Sequence, residues 1–211
     1  MKKYLSEFIG TFALVFFGTG AIIVDEISQG KITHLGVSIC FGLIVMAMIY
    51  ALGEKSGAHL NPAVTISFWA HGNFPAKGIA PYIISQLSGA LIASVVLKAL
   101  FPVSISLGAT IPSGSILQSF MLEFLLTFFL MLVILSVATG SKEQGLFAGI
   151  AIGSVILLEA IFGGPISGAS MNPARSLAPA IVSGNIHQVW IYIVAPIGGA
   201  LLATAFHKLI R

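Results

Sequence analysis

The stretch S-G-A-H-L-N-P-A-V-T, residues 56–65, sits between two long apolar runs, and a near copy, S-G-A-S-M-N-P-A-R-S, returns at residues 167–176. The two share S-G-A-x-x-N-P-A, and their asparagines are 111 residues apart. Asn is a strong helix N-cap and Pro suits the first helical position, so Asn61-Pro62 and Asn172-Pro173 read as helix starts. The apolar pieces that begin there, 61–70 and 172–182, are near ten residues each. At about 1.5 Å per residue each gives roughly 15 Å of helix, half the hydrocarbon thickness of a bilayer. Gly57 and Ala58, like Gly168 and Ala169, are small enough for an irregular, tightly folded approach to each start.

The surroundings explain why half a bilayer is the relevant length. The chain has 211 residues, 57% hydrophobic and 8% charged, where a soluble domain carries about 25% charged residues. So few charges cannot cover a water-soluble surface, and an integral membrane protein is expected. Six stretches are long and apolar enough to span as helices: 4–24, 34–53, 78–100, 116–138, 145–162 and 188–209. The expected class is therefore all-α, with six transmembrane helices and two re-entrant half-helices. Lys2 and Lys3 precede a stretch, 7–24, that is long enough to span and has no separated small-residue cleavage site, so a cleavable signal peptide is not expected. The single Cys40 excludes an intramolecular disulfide framework.

The cations set an orientation. With the N-terminus in the cytoplasm, Lys2, Lys3, Lys55, Lys77, Lys142, Lys208 and Arg211 fall inside, while Lys31 and Lys98 fall outside. That is the positive-inside bias. The net charge of +3 therefore reports topology, and no nucleic-acid partner is expected. Both termini are expected in the cytoplasm, and membrane lipid is the surrounding partner.

The chain also repeats. E-F-I-G-T-F-A-L-V-F (7–16) resembles E-F-L-L-T-F-F-L-M-L (123–132). Each half, about 1–105 and 115–211, has three spans and one short piece after the second span. Three is odd, so the second half enters the membrane inverted, which places a site near the midplane where the halves meet. No linker separates them, so one domain, 1–211, is expected.

Irregular backbone at membrane depth must be buried in protein or line a watery cavity. Half-helices starting at the midplane point free N–H groups and positive dipole ends at the centre. Such a centre repels cations, protons included. The amides of Asn61 and Asn172 offer donors to a passing oxygen, and carbonyls of the preceding loops offer acceptors. A molecule held by donors at the centre and acceptors on either side has its dipole reversed there, which breaks a proton wire. Uncharged hydrogen-bonding solutes can still pass.

Carrying both Asn-Pro-Ala motifs, at Asn61, Pro62, Ala63 and Asn172, Pro173, Ala174, with Arg175 following the second, the chain resembles the aquaporins, or major intrinsic proteins. The segments G-L-I-V-M-A-M-I-Y-A-L-G and G-P-I-S-G-A-S-M-N-P-A-R-S-L-A-P-A-I-V-S-G are similar to the plant nodulin-like branch and its bacterial relatives. The resemblance implies a pore through each subunit of a homotetramer. Short loops point to a bacterial or archaeal source and hence an inner, or plasma, membrane.

The resemblance also implies a constriction on the outer side of the centre. Counting from the motifs without gaps places it at Phe41, Ala160, Ala169 and Arg175. A charged side chain at membrane depth normally faces a cavity, and the Arg175 fork can donate to a solute oxygen. Water-selective members typically have His where Ala160 stands. Glycerol-selective members typically add a second aromatic and an Asp where Ala169 and Ser176 stand. One aromatic, two alanines and Arg imply a wider opening, passing water and small neutral solutes such as glycerol and uncharged metalloid hydroxides. A strictly water-selective channel is the alternative.

Gly57, Ala58, His59, Gly168 and Ser170 are expected to line the path. Glu7 and Glu123 occupy equivalent places in the first and fourth spans, where the family implies that each accepts N–H groups of a re-entrant loop. Glu159 either braces the second loop or adds charge beside the constriction. Glu54-Lys55 reads as a solvated cytoplasmic pair or a gate-like feature. His34, His71, His187 and His207 lie near span ends as ordinary interfacial residues, and no pair has a metal-ligand spacing. No cofactor and no metal are expected. A secondary transporter would need midplane coupling residues beyond Glu7 and Glu123. An intramembrane enzyme would need a convergent nucleophile–base or metal set, which the sequence does not offer. A structural junction protein with a residual pore is opposed by both intact motifs and Arg175.

Overall fold

A computed structural model describes residues 1–210; Arg211 and the side chains of Lys142 and Gln144 lie outside the described residues, and with them the inward placement of Lys142 and Arg211. The described chain is helical: α1 (Lys2–Ile27), α2 (Thr33–Ser56), α3 (Pro62–His71), α4 (Ile79–Leu100, entered through a 3-10 turn at Ala76–Gly78), α5 (Ile116–Ala138), α6 (Lys142–Leu146), α7 (Ala148–Ser167), α8 (Pro173–Ser183) and α9 (Ile191–Ile210). Six of these, α1, α2, α4, α5, α7 and α9, are long and apolar enough to cross a membrane. An even number of crossings leaves both termini on one side.

The expected spans are found with one informative difference. The fifth was expected to stop at 162, ahead of Gly163-Gly164-Pro165, but α7 runs on to Ser167. A proline inside a helix leaves the carbonyl four residues back without its N–H partner. Here that carbonyl is Ile161, and it accepts from His34 Nε2 on α2 at 2.8 Å. His34 is thus a brace between α2 and α7 and not only an interfacial residue. A carbonyl accepts only, so Nε2 carries the proton. The same span was expected to begin at 145, but a separate short helix, α6, ends at Leu146 before α7 starts at Ala148.

The inverted repeat is visible in how the helices meet. α1 packs on α4 and α5 on α9, and α2 meets α7 across the two halves. Both within-half crossings are close at a glycine. A methyl at Gly89 would stand 2.2 Å from the Phe8 carbonyl oxygen, and one at Gly199 would stand 2.1 Å from that of Phe124. The α2–α7 crossing is reciprocal, because a methyl on either Gly42 or Gly153 would meet the other's carbonyl at 2.7 Å. In lipid, helices associate through such close packing and not through hydrophobicity.

The half-helices α3 and α8 start at the centre and are tied down at their outer ends. Lys208 Nζ donates to Ala70 O at 2.8 Å in the last turn of α3. Lys98 Nζ donates to Val182 O at 3.0 Å in the last turn of α8. A cation there satisfies an orphan carbonyl and suits the negative dipole end. The repeat therefore extends to two lysines that the sequence offered only as markers of topology.

Candidate functional site

The loops leading to α3 and α8 leave ordinary backbone space. Gly57 and Gly168 end α2 and α7 at φ of 84° and 87°. Beyond them Ala58 and Leu60 have φ of 45° and 51°, and Ala169 and Met171 have 42° and 53°. An L residue with a side chain in this region costs roughly 1–2 kcal/mol, so something must overrule the local preference four times.

Two buried carboxylates supply it. Glu7 accepts from Ser56 Oγ at 2.7 Å, His59 N at 3.0 Å, Leu60 N at 2.8 Å and Gln86 Nε2 at 2.7 Å. Glu123 accepts from Ser167 Oγ at 2.7 Å, Ser170 N at 2.9 Å and Met171 N at 2.8 Å. Both glutamates are fully buried. Each loop gains a further tie from a tyrosine: Tyr82 OH donates to Ser56 O at 2.8 Å, and Tyr192 OH to Ser167 O at 2.6 Å. Because the N–H groups turn toward the glutamates, the loop carbonyls are left to face the other way.

At the centre the two halves hold one another. Asn61 Nδ2 donates to Met171 O, and Asn172 Nδ2 to Leu60 O, both at 2.8 Å. Each asparagine also caps its own helix, Asn61 Oδ1 accepting from Ala63 N at 2.9 Å and Asn172 Oδ1 from Ala174 N at 3.0 Å. The amide NH2 has two hydrogens. One is spent across the repeat, which fixes the direction of the other. Both asparagines line a cavity of about 530 Å³, together with Gly57, Ala58, His59 and Ser170.

The same cavity is also lined by Phe41, Ala160, Ala169 and Arg175, so the four counted positions do come together. The Arg175 guanidinium lies 5.1 Å from the Phe41 ring centroid, a cation–π contact. Its Nη1 donates to Gly108 O at 2.9 Å. That carbonyl belongs to the long connection between α4 and α5, which dips inward and buries Leu107. Thr110 of this connection donates to Ser176 Oγ at 2.7 Å, and Ser176 Oγ also bonds Ser170 Oγ at 2.5 Å. Arg175 is thereby aimed from its far end by a segment that has no motif.

Two expectations are corrected. Gly168 does not line the cavity. It turns the chain out of α7, and a methyl on it would meet Thr110 Cγ2 at 3.0 Å. Glu159 takes neither of its expected roles. It is buried and absent from the cavity lining, and neither carboxylate oxygen has a partner in hydrogen-bond geometry among the described residues. His59 does reach the cavity, stacked on Phe68 with ring centroids 4.7 Å apart and bonded to Thr65 Oγ1 at 3.1 Å. Ser56, Ser167, Gln86, Tyr82, Tyr192, Gly108 and Thr110 were not singled out. Only the two serines carried a signal, as the first letters of the repeated phrase.

The family model described as major intrinsic protein matches residues 1–207. Nodulin-26 of Glycine max is 44% identical over 212 residues, covering all of this chain and 78% of the relative. Aquaporin NIP1-4 of Oryza sativa subsp. japonica is 46% identical over 216 residues, covering all of this chain and 77% of the relative. Among solved structures, the X-ray structure of the aquaglyceroporin from Plasmodium falciparum superposes with a TM-score of 0.88 at 27% identity, over 99% of this chain and 96% of that one.

Proposed function

The chain belongs to the major intrinsic protein family, and from that premise we propose that it is a passive, proton-tight channel for water and for small uncharged solutes of the size and hydroxyl character of glycerol. The family is one of channels and not of enzymes. Support for the solute range comes from the outer constriction. Ala160 and Ala169 add little bulk and no side-chain polar group, so Phe41 and Arg175 are the two large side chains of the four. An apolar wall on one side and a guanidinium donor on the other suit a molecule with a carbon edge and a hydroxyl edge. Uncharged metalloid hydroxides share that hydroxyl pattern and fall within the proposal.

The observation that carries the reading is the crossed pair of asparagine amides. Both asparagines line one cavity, each spends one amide N–H across the repeat, and each half-helix starts beside them; on this reading the second amide hydrogens serve the passing molecule and loop carbonyls serve it on either side. A water oxygen passing that point accepts from the amides and must donate outward in both directions, while an alcohol hydroxyl accepts there and donates its single hydrogen outward in one. Proton hopping through it is unfavourable, and the helix ends and Arg175 oppose any cation.

The reading includes a homotetramer with a pore in each subunit, placement in the plasma (inner) membrane and cytoplasmic termini. Stopped-flow light scattering on proteoliposomes tests it, with water permeability, glycerol permeability and the decay of an imposed pH gradient read on one preparation. Water and glycerol permeability should both rise above protein-free vesicles while proton leak stays at their level. A rise in water alone would favour the strictly water-selective alternative. A proton leak that scales with protein would contradict the central arrangement.

A further inference from the structure

We infer that Gly18 on α1 sets the width of the outer constriction by giving the Phe41 ring room to stand back from the pore. The inference rests on the reading of Phe41 as a wall of that constriction. Gly18 lies behind the wall and is not itself part of the cavity lining.

One edge of the Phe41 ring lies against the α-carbon of Gly18. A methyl placed there would stand 2.2 Å from Cε1, 2.5 Å from Cδ1 and 2.6 Å from Cζ of the ring. Carbon atoms sit comfortably at about 3.5–4.0 Å, so roughly 1.3 Å or more must be made up. The backbones cannot supply it. α2 is pinned on its other side to α7, where Gly42 and Gly153 already meet carbonyl to α-carbon. α1 is pinned to α4, where Phe8 O touches the α-carbon of Gly89. The ring must therefore move, and the free side is the cavity, toward Arg175.

Gly18 is a positioning residue in this sense. It bonds no solute. It decides how much of the opening between Phe41, Ala160, Ala169 and Arg175 the ring occupies. A side chain as small as a methyl would convert a wide constriction into a narrow one without changing any of the four lining residues. The discriminated quantity is the ratio of glycerol to water permeability, because displacement of the ring excludes the bulkier solute first.

The test is a cycle of four proteins in proteoliposomes: wild type, Gly18→Ala, Phe41→Leu and the double variant. Gly18→Ala should lower glycerol permeability about tenfold while water permeability falls much less. In the Phe41→Leu background the same Gly18→Ala change should leave the ratio where Phe41→Leu alone put it, because no ring remains to displace. An unchanged ratio for Gly18→Ala beside Phe41 overturns the inference, as does an equal fall in both backgrounds. If Gly18→Ala does not assemble beside Phe41, recovery of folded protein in the Leu background shows the same coupling, and failure there as well overturns it. Phe41→Leu alone separates the two readings. A ratio that responds to Phe41→Leu and not to Gly18→Ala removes only the role of Gly18, whereas one that responds to neither removes Phe41 as a wall.

Discussion

The side-chain amide of Asn61 donates to the main-chain carbonyl of Met171 at 2.8 Å, so the first half of the chain holds the backbone of the second at the point where both re-entrant loops end. Asn172 returns the contact on Leu60. Met171 and Leu60 are the residues with left-handed backbone beside each asparagine. The bond that orients the donor amide therefore also stabilises the strained residue opposite.

This predicts that Asn172→Asp is far more damaging than its size suggests. The carboxylate keeps the helix cap but presents an acceptor to Leu60 O. The variant should lose about 1–3 kcal/mol of stability and most of its water permeability. Thermal unfolding in detergent and stopped-flow flux read the two effects. Wild-type values for both would remove the crossed bond from the account.

The glutamates should show the same logic. In Glu123→Gln one oxygen becomes an NH2 facing either Ser170 N with Ser167 Oγ or Met171 N, and in both cases the backbone N–H it meets is itself a donor. A drop of about 1–3 kcal/mol is expected. Glu7→Gln should cost more, since Glu7 serves four donors and Gln86 is one of them. The comparison is a pair of melting curves, and a Glu7→Gln protein as stable as wild type would contradict it.

His34 and Pro165 should be coupled. His34→Leu removes the donor to Ile161 O and should cost about 1 kcal/mol. In a Pro165→Ala background the new N–H of residue 165 can reach Ile161 O, so the loss of His34 should cost little. Strict additivity in this double-mutant cycle would show that His34 and Pro165 do not share that carbonyl.

Glu159 should behave oppositely to Glu7 and Glu123. Its carboxyl is buried and has no hydrogen bond among the described residues. Replacing an unsatisfied polar group by an apolar one of similar volume is usually neutral or stabilising. Glu159→Leu should melt at or above the wild-type temperature and conduct water normally. A loss of conduction would place Glu159 on the transport path.

How much of this was written in the sequence follows from where each signal resides. Span number, half-helix starts and inversion were legible, because apolar length, the Asn-Pro pair and the repeated phrase are local. The four positions counted from the motifs, Phe41, Ala160, Ala169 and Arg175, share one cavity because no insertion intervenes. Loop conformation was not legible: nothing local to Leu60 or Met171 predicts a left-handed backbone, since the cause lies on Glu7 and Glu123, tens of residues away. The end of α7 was missed because the donor that rescues Ile161 O comes from another helix. Gly108 and Thr110 were missed because one acts through its carbonyl and the other through a lone hydroxyl, in a connection without periodicity.

The central claim is that an open outer constriction admits solutes larger than water. Its most direct test is the water and glycerol permeability of Ala160→His measured beside wild type in matched proteoliposomes. Imidazole at this position adds bulk and a polar contact opposite Arg175. The account predicts that glycerol permeability falls by about tenfold or more while water permeability is largely kept. An equal loss of both, or no loss of either, would contradict it.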